Sequence, residues 1–166
     1  GRDTLREIEN LAGSAGGDRL TGNNGDNRIE GRDGDDVIEG LGGNDQLIGG
    51  DGFDQVSYAN ATAAVAVDLS LATAQNTQGA GIDVLNGFEV IVGSRYSDRL
   101  TGGRETFELH GGLGGDVIFS RSVFNDPGRS FLFGGEGNDI LHSMSSFGDD
   151  LVGGAGGFGA ADRQDG

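Results

Sequence analysis

From Gly13 to Ser57 the chain is locked to a period of nine. The units read GSAGGDRLT, GNNGDNRIE, GRDGDDVIE, GLGGNDQLI and GGDGFDQVS, starting at Gly13, Gly22, Gly31, Gly40 and Gly49. Position four is always glycine: Gly16, Gly25, Gly34, Gly43 and Gly52. Position six reads Asp18, Asn27, Asp36, Asp45 and Asp54, and position eight reads Leu20, Ile29, Ile38, Leu47 and Val56. A repeat this short cannot bury an apolar face alone. It must stack on copies of itself.

The unit dictates a local geometry. Only its last three residues can be extended, with the eighth side chain on one face and the seventh and ninth on the other. Polar residues such as Arg19, Thr21, Arg28 and Glu30 fill the flanking positions, so the aliphatic points inward. The first six residues must turn, and glycine supplies the positive φ and close approach that stacked turns need. Two units make one coil, so residues eighteen apart become neighbours along one edge. Asp18, Asp36 and Asp54 then line one edge, and Asn27 and Asp45 the other.

Such a chain lacks the apolar content to order itself. Glycine contributes 35 of 166 residues, hydrophobic residues only 34%, and the formal charge is −16. This composition ordinarily reads as disorder. It also argues against nucleic-acid binding, which needs a basic face. Cysteine is absent, so disulfides and thiolate metal sites are excluded. No apolar run has the length of a membrane span, and the first residues do not read as a signal peptide. Stacked carboxylates repel unless a cation lies between them. An all-oxygen donor set of carboxylates and turn carbonyls suits Ca²⁺, which takes six to eight oxygens, better than Zn²⁺.

The period returns from Gly93 less cleanly. Asp98, Phe107 and Asp116 hold position six, and Leu100, Leu109 and Ile118 hold position eight. The stretch Ser120–Ser130, with Asn125, Asp126 and Pro127, interrupts as an irregular turn or bulging loop. Asp139 and Leu141 then resume the phase, and a stretched unit ends in Gly148, Asp149, Asp150 and Val152. The glycine-rich tail after it is expected to fray or cap poorly. Residues 58–78 hold no glycine and seven alanines. Val65, Val67, Leu69 and Leu71 alternate with Ala66, Asp68 and Ser70, which favours a strand; an alanine-rich helix is the alternative. Residues 1–40 match 81–120 without a gap at 16 positions, so the chain is expected to be a piece of a larger tandem protein. The organisation expected is a first block over 1–57, an elaborated solenoid coil over 58–92 and a second, irregular block over 93–166 with its insertion at 120–130.

These units resemble the repeats-in-toxin (RTX, hemolysin-type) nonapeptide, G-G-x-G-x-D-x-U-x, strongly over 13–57 and patchily over 93–152. The resemblance implies an all-β, right-handed parallel β-roll with several Ca²⁺ ions in its glycine-rich turns. It further implies type I secretion by a bacterium, with folding outside the cell. Carried over residue by residue, the ligand position falls on Asp18, Asp36, Asp45 and Asp54, then Asp98, Asp116, Asp139 and Asp150. Carbonyls near positions two and four, such as Gly34, Leu41, Gly43, Gly50 and Gly52, would complete the shell. Asn27 weakens the site it shares with Asp45. Phe107 is expected to leave its half-site empty, and Tyr96 puts the turn beside Asp98 in question.

Other chemistry is poorly supported. His110 and His142 sit at outward ninth positions. Paired acids such as Asp35–Asp36 and Asp149–Asp150 resemble a glycosidase pair, but the nonapeptide turn already explains them. Ser57 and Ser143 have no evident histidine partner. Phe119, Phe124, Phe131, Phe133 and Phe147 form either an apolar plug over the irregular coil or a sugar- or partner-binding patch. The function expected is a non-catalytic calcium-binding module of a larger secreted protein. The alternatives are an accessory module of a secreted enzyme (epimerase, protease, lipase or peroxidase type) that supports it or binds polysaccharide, and an adhesin segment.

Overall fold

The computed structural model describes residues 9–121, 130–143 and 149–154. Its described residues form short strands and no helix, stacked as a β-solenoid. Strands fall where the period demands, on the last three positions of each unit. One face is a parallel sheet of seven: β2 (Arg19–Thr21), β4 (Val37–Glu39), β6 (Gln55–Ser57), β10 (Val90–Val92), β12 (Glu108–Leu113), β14 (Phe131–Glu136) and β16 (Asp150–Val152). The opposite face begins with β1 (Asn10–Ala12), β3 (Arg28–Asp33), β5 (Gln46–Asp51) and β9 (Ile82–Asn86). It continues as β7 (Ala66–Asp68), β11 (Arg99–Thr101), β13 (Val117–Phe119) and β15 (Ile140–His142). Between these groups β8 (Gln75–Asn76) pairs antiparallel with β9 and breaks the sheet.

Register turns the sequence period into a core. Leu20, Ile38, Val56, Ile91, Leu109, Leu132 and Leu151 stand one above another on the seven-stranded face. Leu11, Ile29, Leu47 and Leu85 do so opposite, followed by Val67, Leu100, Ile118 and Leu141. Most are fully buried, yet the core is one side chain deep from each face. Each contributes roughly 1.5–3 kcal/mol by burial.

Residues 58–81 enter the stack as extra chain, because Val56 lies opposite Ile91 rather than a residue eighteen further on. The segment is anchored by the buried Glu39 carboxylate, which accepts hydrogen bonds from the backbone N–H and amide Nδ2 of Asn60. Val65 and Val67 point inward and the strand period holds there. Leu71, expected to continue it, is 42% exposed. The chain turns away first, with the Leu71 N–H bonded to the Asp68 carbonyl. The alanine-rich helix does not form, since β-branched Val67 stacks beside Leu100 instead.

The second interruption shows in the register of Leu109 with Leu132, five residues beyond the regular spacing. Ser120 and Ser130, which flank it, are buried. Residues 122–129, with Phe124, Asn125, Asp126 and Pro127, lie outside the described residues. So do Phe147, Gly148 and the tail from residue 155.

Candidate metal centre

The turns that lead into the seven-stranded face form a first edge, and those that lead into the other face form a second. On the first edge the Asp18 N–H donates to Asp36 Oδ1 (2.7 Å), the Asp36 N–H to Asp54 Oδ1 (2.8 Å) and the Asp54 N–H to Glu89 Oε2 (2.7 Å). On the second the Asn27 N–H donates to Asp45 Oδ1 (2.8 Å) and the Asp45 N–H to Asp83 Oδ1 (3.0 Å). Beyond β8 the Asp98 N–H donates to Asp116 Oδ1 (2.7 Å), and the Asp116 N–H to Asp139 Oδ1 (2.9 Å). Each carboxylate thus spends one oxygen on the coil before it.

The other oxygen often has no partner. Oδ2 of Asp36, Asp45, Asp54 and Asp116 is buried and receives no hydrogen bond. Each folds back over the first glycine of its unit, so a Cβ at Gly31, Gly40, Gly49 or Gly111 would collide with it. An orphaned carboxylate oxygen in a low-dielectric site costs free energy unless a charge answers it.

The same turns share a backbone. Positions two and four are both left-handed: Arg32 and Gly34, Leu41 and Gly43, Gly50 and Gly52, Gly112 and Gly114, Gly135 and Gly137. Left-handed geometry costs a side chain about 1–2 kcal/mol, so Arg32 (φ 86°) and Leu41 (φ 73°) are held there by the stack.

Burial and mutual repulsion shift the titration of these carboxylates. Burial pushes Asp45 up to about 6, reinforced by repulsion from Asp83 and Asp26 although the Asn27 N–H opposes it. Burial pushes Asp116 up to about 6 as well, with repulsion from Asp98 and Asp139. Asp54, Asp83 and Glu89 are raised chiefly by burial too. Asp18 is lowered instead by its hydrogen bonds from Ser14.

Several positions stand differently from their sequence phase. Asp150 is the first residue of β16, in register with Phe131, and the aspartate position belongs to Asp149. The Asp149 Oδ1 accepts the Ser130 N–H (3.0 Å) and its Oδ2 accepts the hydroxyls of Ser120 and Ser143. Leu151 is the inward residue there, and Val152 is 47% exposed. Asp83 and Glu89 join the edges although no unit was assigned to them. Their signal was the D-x-U and E-x-U spacing to Leu85 and Ile91, hidden because the chain before them breaks phase. Phe107 packs edge-to-face on Phe53 at 5.7 Å. Within its turn the Thr106 hydroxyl accepts the Gly103 N–H (2.7 Å).

The residues present fit a hard cation. Among the described residues no three His, Cys, Asp or Glu side chains converge on one point, so main-chain carbonyls must supply the other ligands. That mixture of carboxylate and carbonyl oxygen suits Ca²⁺.

Fold and edges together define a tandem-repeat, calcium-binding parallel β-roll. The model of the RTX calcium-binding nonapeptide repeat matches four times, over residues 7–34, 21–56, 83–118 and 126–145. The chain belongs to that family, whose repeats bind several Ca²⁺ ions. No curated protein matches the chain as a relative. No helix among the described residues is long and apolar enough to cross a membrane.

Proposed function

We propose that the chain is a non-catalytic module of a larger secreted protein, ordered by Ca²⁺ after export. The supporting observation is the set of buried, unanswered Oδ2 atoms on both edges. Asp36, Asp45, Asp54, Asp116 and Asp139 would hold ions with turn carbonyls such as those of Gly34, Leu41, Gly43, Gly50 and Gly52. Without calcium the charge of −16 and the abundant glycine oppose compaction. That keeps the chain unfolded for a type I secretion channel, and external calcium then folds it. Family and fold also support the absence of catalysis: His142 stacks on Phe119, and Ser143 donates to Asp149. Circular dichroism tests this reading. Mainly coil in chelator and β structure with Ca²⁺ are expected, with Mg²⁺ a poor substitute because it resists dehydration. Identical spectra in both conditions would reject it.

A second reading draws on an open groove of about 480 Å³ on the opposite face, lined by Asp68, Gln75, Asn76, Arg99, Phe119 and Arg121 among others. The Arg99 guanidinium lies 4.5 Å from the Phe119 ring centroid. Guanidinium and amide groups in an open groove suit the hydroxyls of a polysaccharide, as an accessory module of a secreted enzyme would need. Retardation in a polysaccharide-loaded gel, lost in Arg121→Ala, is the check.

A further inference from the structure

Not every turn is built alike. In the turn 13–18 the Ser14 N–H and hydroxyl both donate to Asp18 Oδ2 (2.6 and 2.9 Å). In 22–27 the Asn23 N–H donates to Asn27 Oδ1 (2.8 Å), and Asn23 Oδ1 accepts the Gly25 N–H (2.7 Å). In 93–98 the Ser94 N–H donates to Asp98 Oδ2 (2.5 Å), its hydroxyl to Asp98 Oδ1 (2.8 Å), and its Oγ accepts the Tyr96 N–H (3.0 Å). In all three, position two is Ser or Asn, and neither position two nor position four is left-handed. In the five open turns position two is left-handed, and four of the five sixth-position aspartates keep an orphaned Oδ2.

Asp98 differs from the open turns in a second way, because its Oδ1 meets the N–H of Val65 rather than that of another acid. Open turns become neighbours in two places: 31–36 with 49–54 through β4 and β6, and 111–116 with 134–139 through β13 and β15.

We propose that the residue at position two decides whether a turn takes an ion. Serine or asparagine there keeps its backbone N–H on the sixth side chain and closes the turn without metal. A left-handed residue there leaves Oδ2 for Ca²⁺. The principal sites are then the pairs Asp36–Asp54 and Asp116–Asp139, one on each edge. This rests on the calcium-binding reading above.

Ser14 gives a direct test, because Ser14→Gly turns GSAGGD into the open pattern beside the open turn of Asp36. The full chain is dialysed against ⁴⁵Ca²⁺ and bound ions are counted, with circular dichroism recorded in the same buffer. Ser14→Gly should fold in calcium and bind an additional ion. Ser14→Ala, which loses the hydroxyl but keeps the N–H on Asp18 Oδ2 and does not favour left-handed backbone, should keep the wild-type count. An unchanged count in Ser14→Gly, or its failure to fold in saturating calcium, overturns the proposal while leaving the module a calcium binder. A wild type that binds no calcium overturns the underlying reading and this one together.

Discussion

The first edge changes character halfway along the roll. Up to Glu89 it is a ladder of acids, Asp18, Asp36, Asp54 and Glu89, each linked by backbone N–H donors. Beyond it stand Phe107 and Ser130 before the next acid, Asp149. There Phe107 packs on Phe53, Thr106 closes its own turn, and the Ser130 hydroxyl donates to the Thr106 carbonyl (3.0 Å). The inward column of Leu, Ile and Val runs through both halves without a break. The fold therefore specifies the core position strictly and the edge loosely. A coil can be closed by apolar packing or hydroxyls where no cation is held.

The largest contrast should come from Asp36→Ala against Phe107→Ala. Losing Asp36 removes one of the two carboxylates of the Asp36–Asp54 site, and should raise the calcium midpoint of folding by roughly tenfold or more. Phe107→Ala removes a half-exposed ring and should cost about 1 kcal/mol at any calcium concentration, with the midpoint near wild type. Equal midpoint shifts would erase the distinction between the two halves.

Acid should act oppositely with and without metal. Asp45 and Asp116 titrate near 6 in the folded chain and near 3.8 when exposed. Between those values the folded chain holds protons that the unfolded chain lacks. Their contribution to metal-free stability is therefore fully present below about 4 and lost as pH rises through 6. In chelator the β signal should grow on acidification from pH 7 to 4. With calcium the reverse holds, because the ion needs charged carboxylates, and the calcium midpoint should rise below pH 6. A chelated chain with no gain in β signal on acidification contradicts this origin of the shifts.

Thr106→Val should sharpen the comparison on the neutral side. It strips the acceptor from the Gly103 N–H and should cost about 1–2 kcal/mol in urea unfolding at saturating calcium. Calcium affinity should stay unchanged. A weakened affinity would mean that this turn holds an ion after all.

The smallest effect is expected from Asp26→Ala. Position five varies along the sequence (Gly17, Asp26, Asp35, Asn44 and Phe53), yet the Asp26 carboxylate accepts the Asn44 N–H at 2.7 Å. Asp35 does the same for Phe53 (2.9 Å). Loss of one exposed bond should cost about 0.5–1 kcal/mol, far below the Asp36 effect. A calcium midpoint shifted as far as that of Asp36→Ala would reject the assignment of position six as the ion-facing one.

The solenoid was legible because its three recurrent features have separate physical causes. Position eight must be apolar to face the core, position six must reach the neighbouring coil, and the glycines must turn. Where chain is inserted the phase alone misleads. The phase pairs Asp150 with Val152, although the two-residue step from Asp149 to Leu151 carries the same rule. Asp83 and Glu89 went unassigned because residues 58–81 hide the count, while their stack is set by β5–β9 and β6–β10 pairing. Leu71 follows the alternation and still lies outside, since a turn at Asp68 ends the strand. The difference between sealed and open turns was written at position two. Serine and glycine there look equally turn-like until hydrogen bonds are drawn.

The most direct test is an anomalous-difference map from crystals grown in calcium. Peaks are expected between the turns of Asp36 and Asp54 and between those of Asp116 and Asp139, with none at the turn Gly102–Thr106 beside Phe107. An ordered ion in that turn, or no density beside Asp36 and Asp116, would contradict the assignment of calcium to the orphaned carboxylates.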